Sequence, residues 1–149
     1  MKLSRIIATF FGIGYIGKGA GTIAVLVVCA LLYCGTSFHV YSSHRLLLLA
    51  LVLMAAGVAS ASQVEKDWGK DSSRVVIDEA LGMTVSLLYL PLSLMTIIPA
   101  FILFRFFDIA KPLLIRRTEA LPKGWGVMAD DLLAGIYTNI LVRIFILFI

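Results

Sequence analysis

The stretch VVIDEALGMTVSLLYLPLSLMTIIPAFILFRFFDI, residues 75–109, decides how this chain folds, because its two readings lead to different chemistry. Taken as a single kinked span, it would put Asp78 and Glu79 at one membrane face and Arg105 and Asp108 at the other. It is too long for one simple helix, however, and it carries Pro91 and Pro99. Proline disfavours an α conformation in the residue before it, so Leu90-Pro91-Leu92-Ser93 is the natural turn. We therefore read a hairpin, with about Val76 to Leu90 running down and Leu94 to Ile109 running back. That returns Arg105 and Asp108 to the side of the membrane that holds Asp78 and Glu79.

The rest of the chain matches a protein dissolved mainly in lipid. Of its 149 residues 60% are hydrophobic and only 15% charged, with mean hydropathy +0.99; soluble domains carry about 25% charged residues. One domain, residues 1–149, accommodates this length. Two spans precede the hairpin, about Ile23 to Phe38 and Leu46 to about Ser62, joined by the polar turn His39 to Arg45. Both sit near the lower end of the ~17–25 residues that cross a bilayer. Glu65 to Arg74 reads as a surface loop with Trp68 as an interfacial anchor, and a last helix is expected from Asp131 to about Ile149. The predicted fold is an all-α, polytopic membrane bundle of about four to five helices, with Ile6 to Ile16 as an additional interfacial N-terminal helix.

No cleavable leader is expected, because Ile6 to Ile16 runs into Gly17-Lys18-Gly19-Ala20-Gly21-Thr22 and then a further apolar run; the mature chain is expected to begin near Met1. With Lys2 and Arg5 inside, the positive-inside rule places every Lys/Arg-rich loop, including Lys111 to Lys123, in the cytoplasm and the His39 to Arg45 turn outside. Net charge +4 and pI ≈ 9.3 follow from the same rule and do not call for nucleic acid. Cys29 and Cys34 lack metal-site spacing and read as small core residues. Arg143, twelve residues into the last helix, would have to snorkel outward, pair internally or mark a tilted helix.

Against this background the acids stand out. Asp78-Glu79, Asp108 and Asp130-Asp131 all lie at the edges of apolar runs, where an ionisable group is expensive and by default marks a site. Asp78-Glu79-x-x-Gly82 puts two carboxylates in a first helical turn, where free N–H groups favour negative charge, and Gly82 on the same face would leave room for an ion or head group. Arg105-x-x-Asp108-x-x-Lys111-Pro112 stacks cation, anion and cation on one face among Phe104, Phe106 and Phe107. Two cations beside a carboxylate suit a phosphate next to a metal ligand.

Asp130-Asp131-x-x-Ala134-Gly135-x-x-x-Asn139 is read as opening the last helix, its small residues allowing close packing and its acids offering the hard oxygens that Mg²⁺ takes together with substrate phosphate. The preceding Lys123 to Met128 reads as a flexible loop able to lie over the site. The glycine-rich stretch Gly17 to Thr22 could cradle a phosphate through backbone N–H groups and the Thr22 hydroxyl, although it lacks the Walker pattern.

Three ordered blocks together closely resemble the phosphatidylglycerophosphatase A family: Asp78-Glu79-x-x-Gly82; Phe104-Arg105-x-x-Asp108-x-x-Lys111-Pro112-x-x-Ile115-Arg116; and Gly124-x-Gly126-Val127-Met128-x-Asp130-Asp131-x-x-Ala134-Gly135-x-x-x-Asn139. The match is tight over the second half and looser at Gly21-Thr22, where the family's usual Pro-Gly-Thr and Gly-Ser pair are replaced by Ala20-Gly21-Thr22 and Ala24-Val25. The resemblance implies a Mg²⁺-dependent phosphatase of the bacterial cytoplasmic (inner) membrane. It would remove the terminal phosphate of phosphatidylglycerophosphate to give phosphatidylglycerol, working on the cytoplasmic side.

On that reading Asp78, Glu79, Asp130 and Asp131 form the catalytic set that handles metal and water. Asp108 joins them as a metal ligand or orients Arg105, and Arg105, Lys111, Arg116 and Thr22 hold phosphate. Attack by a metal-activated water is expected, since His39 and His44 in an outside turn cannot serve as nucleophiles. A lipid phosphatidyltransferase would need its acids in one long motif, and a histidine-dependent lipid phosphatase would need better-placed histidines. The remaining alternative is a small membrane cation transporter or channel subunit that uses the same acids as ion ligands. The partners expected are the phospholipid substrate and the membrane, with the oligomeric state left open.

Overall fold

A computed structural model describes residues 2–37, 42–112 and 114–148. Every regular element among them is helical: α1 (Leu3–Ala8), a 3₁₀ turn (Ile13–Ile16), α2 (Ala20–Ser37), α3 (Ser43–Trp68), α4 (Ile77–Ser86), α5 (Leu94–Ala110), α6 (Ile115–Thr118) and α7 (Gly124–Ile146). Among the described residues two helices, α2 and α3, are long and apolar enough to cross a membrane. The polar turn expected from His39 falls outside the described residues as far as Tyr41, as do the expected helix ends at Phe38 and Ile149 and the expected start at Met1. The N-terminal segment is two short pieces broken where Phe10, Phe11 and Gly12 adopt positive φ.

α4 is the hub of the fold. All of its residues but Glu79 are buried, and it packs against α2, α3, α5 and α7. Its apolar surface meets Phe104 and Ile97 of α5, Val28 of α2 and Ala134 of α7 in one cluster. The closest approach is to α7, where a Cβ on Gly135 would lie 2.5 Å from the Gly82 carbonyl oxygen and 3.2 Å from the Gly82 Cα. Small residues that let two backbones touch are the means by which apolar helices associate where lipid is as apolar as leucine. The space expected beside Gly82 for an ion or head group is taken: a Cβ there would overlap the Phe104 ring and lie 2.8 Å from the Asp131 carbonyl oxygen.

Three helix boundaries differ from the sequence reading, each for a tertiary reason. α3 runs on through Glu65 to Trp68, expected as loop. It stops only at Gly69, whose φ of 83° suits a residue without Cβ and whose N–H reaches the Glu65 carbonyl at 2.9 Å. Asp67 in that last turn accepts from Arg5 of α1 at 3.0 Å, and Trp68 lies under the guanidinium groups of Arg5 and Arg74, 5.8 and 5.5 Å from its ring centre.

α4 ends at Ser86, four residues short of Leu90. Asn139 of α7 donates to the carbonyls of Val85, Ser86 and Leu88 at 3.2, 3.0 and 2.9 Å, satisfying groups that every helix C-terminus leaves open. Arg143 donates to the Leu88 carbonyl at 2.9 Å and to the Asn139 amide oxygen at 2.8 Å. Arg143 therefore pairs internally, and the Asn139 amide is spent on backbone carbonyls. α7, finally, begins at Gly124 and not at Asp131, so the expected Lys123 to Met128 loop is mostly helix. Ser62 of α3 caps it, accepting from Gly124 N at 3.0 Å.

Of the two cysteines, Cys29 lies in the core as expected, whereas Cys34 is exposed.

Candidate active site

Four chain segments deliver charged side chains to one end of the bundle. The first turn of α4 carries Asp78 and Glu79, and the second turn of α7 carries Asp130 and Asp131, brought alongside by the Gly82 and Gly135 crossing. α5 returns antiparallel and contributes Arg105 and Asp108 near its C-terminus. Lys111 follows as the residue that ends α5, with φ 45° and ψ 52° in the left-handed region. The glycine-rich segment before α2 closes the remaining side, and it comes near enough that a Cβ on Gly21 would overlap the Glu79 carboxylate.

All five acids singled out in the sequence, together with Arg105 and Lys111, line a single open cleft of about 480 Å³. Asp78, Glu79 and Asp131 form its tightest group, each offering a carboxylate oxygen within 4.8 Å of the others. Asp78 Oδ1, Glu79 Oε2 and Asp131 Oδ2 are buried and have no hydrogen-bond partner. Three carboxylates gathered this closely, each with a buried oxygen that no hydrogen bond satisfies, form a set that a divalent cation would satisfy: they supply hard oxygen ligands and need a positive charge in return.

The other two acids are tied to cations. Asp108 accepts from Arg105 one turn back in α5. Asp130 accepts from Lys111 Nζ at 2.6 Å through one oxygen and from the Asp131 N–H at 2.9 Å through the other. Lys111 Nζ also donates to Glu119 Oε1 at 2.5 Å. Partial burial disfavours the ammonium, but the hydrogen bonds to Asp130 and Glu119 outweigh this and hold its pKa well above the usual lysine range. The ammonium thus stays charged throughout the physiological range.

Two expected phosphate-holding residues are not in the cleft. Arg116 is exposed on α6, and Thr22 is half-buried in the first turn of α2; neither lines the cavity. Three residues that sequence reasoning did not single out belong to the site: Lys18 and Asp71 line the cleft, and Glu119 reaches Lys111. Lys18 has no ion-pair partner among the described residues and sits between Gly17 and Gly19, both at positive φ. Only its place in a glycine-rich run marked it in the sequence. His44 lies far from the acids, its ring 6.1 Å from that of Tyr89 beyond the opposite end of α4.

Fold and site together define an apolar helical protein with a carboxylate-and-cation centre at one end of its bundle. Residues 6–146 match the family model of phosphatidylglycerophosphatase A. The chain is 38% identical to a Bacteroides thetaiotaomicron protein provisionally named a phosphatidylinositol-3-phosphatase, over 95% of this chain and 92% of that one. It is 37% identical to the phosphatidylglycerophosphatase A of Haemophilus influenzae, over 93% and 85% of the two chains, and 32% identical to that of Escherichia coli, over 91% and 81%. No solved structure matches. The chain belongs to the phosphatidylglycerophosphatase A family, and its function is accordingly that of a lipid phosphatase.

Proposed function

We propose that this protein is an integral enzyme of the bacterial cytoplasmic membrane that hydrolyses the terminal phosphate monoester of phosphatidylglycerophosphate, with Mg²⁺ held by Asp78, Glu79 and Asp131. The observation that carries the reading is that trio of partnerless carboxylate oxygens in a cleft also lined by Arg105 and Lys111. Mg²⁺ bound there would supply Lewis-acid polarisation of the phosphate and acidify a water.

The remaining chemistry falls to the side chains. Arg105, a planar fork, and Lys111, a point charge, would bind the non-bridging phosphate oxygens and stabilise the charge that develops on them. For this Arg105 must share its charge with Asp108, and Lys111 with Asp130 and Glu119. Asp130, held by the Asp131 N–H and Lys111, would orient the attacking water and accept its proton.

The membrane arrangement that suits this chemistry has α2, α3, α5 and α7 crossing the bilayer. At about 15 Å, α4 enters only partway and is completed by the Leu87 to Ser93 turn. Non-helical backbone at that depth is tolerated only where protein satisfies it, as Asn139 and Arg143 do. The Lys/Arg-rich loops beside the cleft favour its placement on the cytoplasmic face. A cation-transport role would require carboxylates spread along a path, whereas all five line one cleft.

A second substrate has a specific basis, because the Bacteroides relative is named for a phosphoinositide. The test is phosphate release by the purified protein in detergent micelles from phosphatidylglycerophosphate and from phosphatidylinositol 3-phosphate, with and without Mg²⁺. Mg²⁺-dependent turnover of the first in clear preference is expected; turnover confined to the second would transfer the assignment.

A further inference from the structure

Lys111 is held by two carboxylates of unequal freedom. Asp130 has a side chain only 5% exposed and is pinned through its second oxygen by the Asp131 N–H. Glu119 has a side chain 38% exposed, sits just past the four-residue helix α6, and reaches Lys111 Nζ through a single oxygen. Its loop is pressed onto α7 at a position that only glycine permits, since a Cβ on Gly126 would lie 2.9 Å from the Glu119 carbonyl oxygen and 2.8 Å from that of Leu121. The backbone of Glu119 is thus fixed while its carboxylate is free to swing toward solvent.

Of the three N–H donors of the Lys111 ammonium two are taken by carboxylates; an anionic phosphate approaching the third meets the charge of both, and the less constrained partner yields at lower cost. We propose that Glu119 is an exchangeable carboxylate. It holds one of the Lys111 donors and shares its charge in the resting site, gives way when the anionic phosphate monoester arrives, and returns to displace inorganic phosphate after hydrolysis. Glu119 is on this account a positioning residue that sets phosphate affinity at both ends of the cycle. The inference rests on the assignment of Lys111 to phosphate made above.

The experiment is calorimetric titration of inorganic phosphate into the full-length protein in detergent micelles containing Mg²⁺, comparing wild type with Glu119→Gln and Glu119→Ala. Removing a competing charge-assisted hydrogen bond should tighten phosphate binding by about three- to ten-fold. The gain should vanish in a Lys111→Met background, as a double-mutant cycle requires of a coupled pair. In turnover assays the phosphate inhibition constant and KM should fall together while kcat does not rise. Unchanged or weaker phosphate binding in both Glu119 variants would overturn the proposal, as would no measurable binding in any of them. A gain that survives in Lys111→Met would overturn it too, by showing that Glu119 acts on general electrostatics instead. A wild type that binds phosphate but hydrolyses neither lipid would sink the substrate assignment, while the Glu119 comparison would still be read from binding.

Discussion

Replacing Gly135 by alanine adds one methyl group at the point where α7 touches α4, one helical turn from Asp131, without altering any charge. The new Cβ would stand 2.5 Å from the Gly82 carbonyl oxygen, against the 3.4 Å at which ordinary contact begins. The neighbour is backbone, so no side chain can swing aside, and the helices must part by about 0.9 Å. Overpacking of this kind costs about 1–3 kcal/mol. The functional effect should be larger than the stability effect, because Asp78 and Asp131 sit on opposite sides of the crossing. Metal sites tolerate roughly ±0.2 Å in ligand distance, and a ~1 Å misplacement commonly costs about 10²-fold in rate.

The assay is Mg²⁺-dependent phosphate release as a function of Mg²⁺ concentration, run beside a thermal-unfolding scan of the same preparation. Gly135→Ala should remain folded, need at least about ten-fold more Mg²⁺, and turn over about 10²-fold more slowly. Wild-type Mg²⁺ dependence and turnover in a folded Gly135→Ala protein would refute the argument that this crossing sets the spacing of the carboxylates.

Asp131→Asn, which removes one charge from the trio without changing its shape, should lower turnover by at least about 10³-fold while the protein stays folded; near-normal activity would remove Asp131 from the site. Asn139→Leu strips the donor from the Val85 and Ser86 carbonyls and should cost about 2–4 kcal/mol, read as a lowered unfolding midpoint; an unchanged midpoint would mean that the end of α4 does not depend on this cap. Arg105→Ala should raise KM for the lipid more than it alters the Mg²⁺ requirement, and the reverse pattern would contradict its assignment to phosphate. His44→Ala should leave turnover unchanged, and a strong loss would contradict the separation of His44 from the cleft.

Much of the site was legible because its residues announce themselves locally. A carboxylate at the edge of an apolar run has few bland explanations, so Asp78, Glu79, Asp108, Asp130 and Asp131 could be picked out one at a time, and the proline-marked turn brought Arg105 and Asp108 back to Asp78. Glu119 carries no such mark. It lies in an ordinary polar loop, and its relation to Lys111 exists only once α6 folds back against α7. Thr22 and Arg116 show the converse, since a motif position or a positive charge says nothing about which way a helix face will point.

Helicity, a strongly apolar character, a few acids at costly positions and membership of a recognisable family can all be read along the chain, because composition, proline placement and residue spacing are one-dimensional properties. Where α4 stops, what Arg143 and Asn139 do, and which acids stay unpaired are settled only by packing in three dimensions. Those outcomes depend on contacts between residues about fifty positions apart. A backbone carbonyl that needs a donor, or a glycine that admits a neighbouring helix, is invisible until the partner backbone is in place.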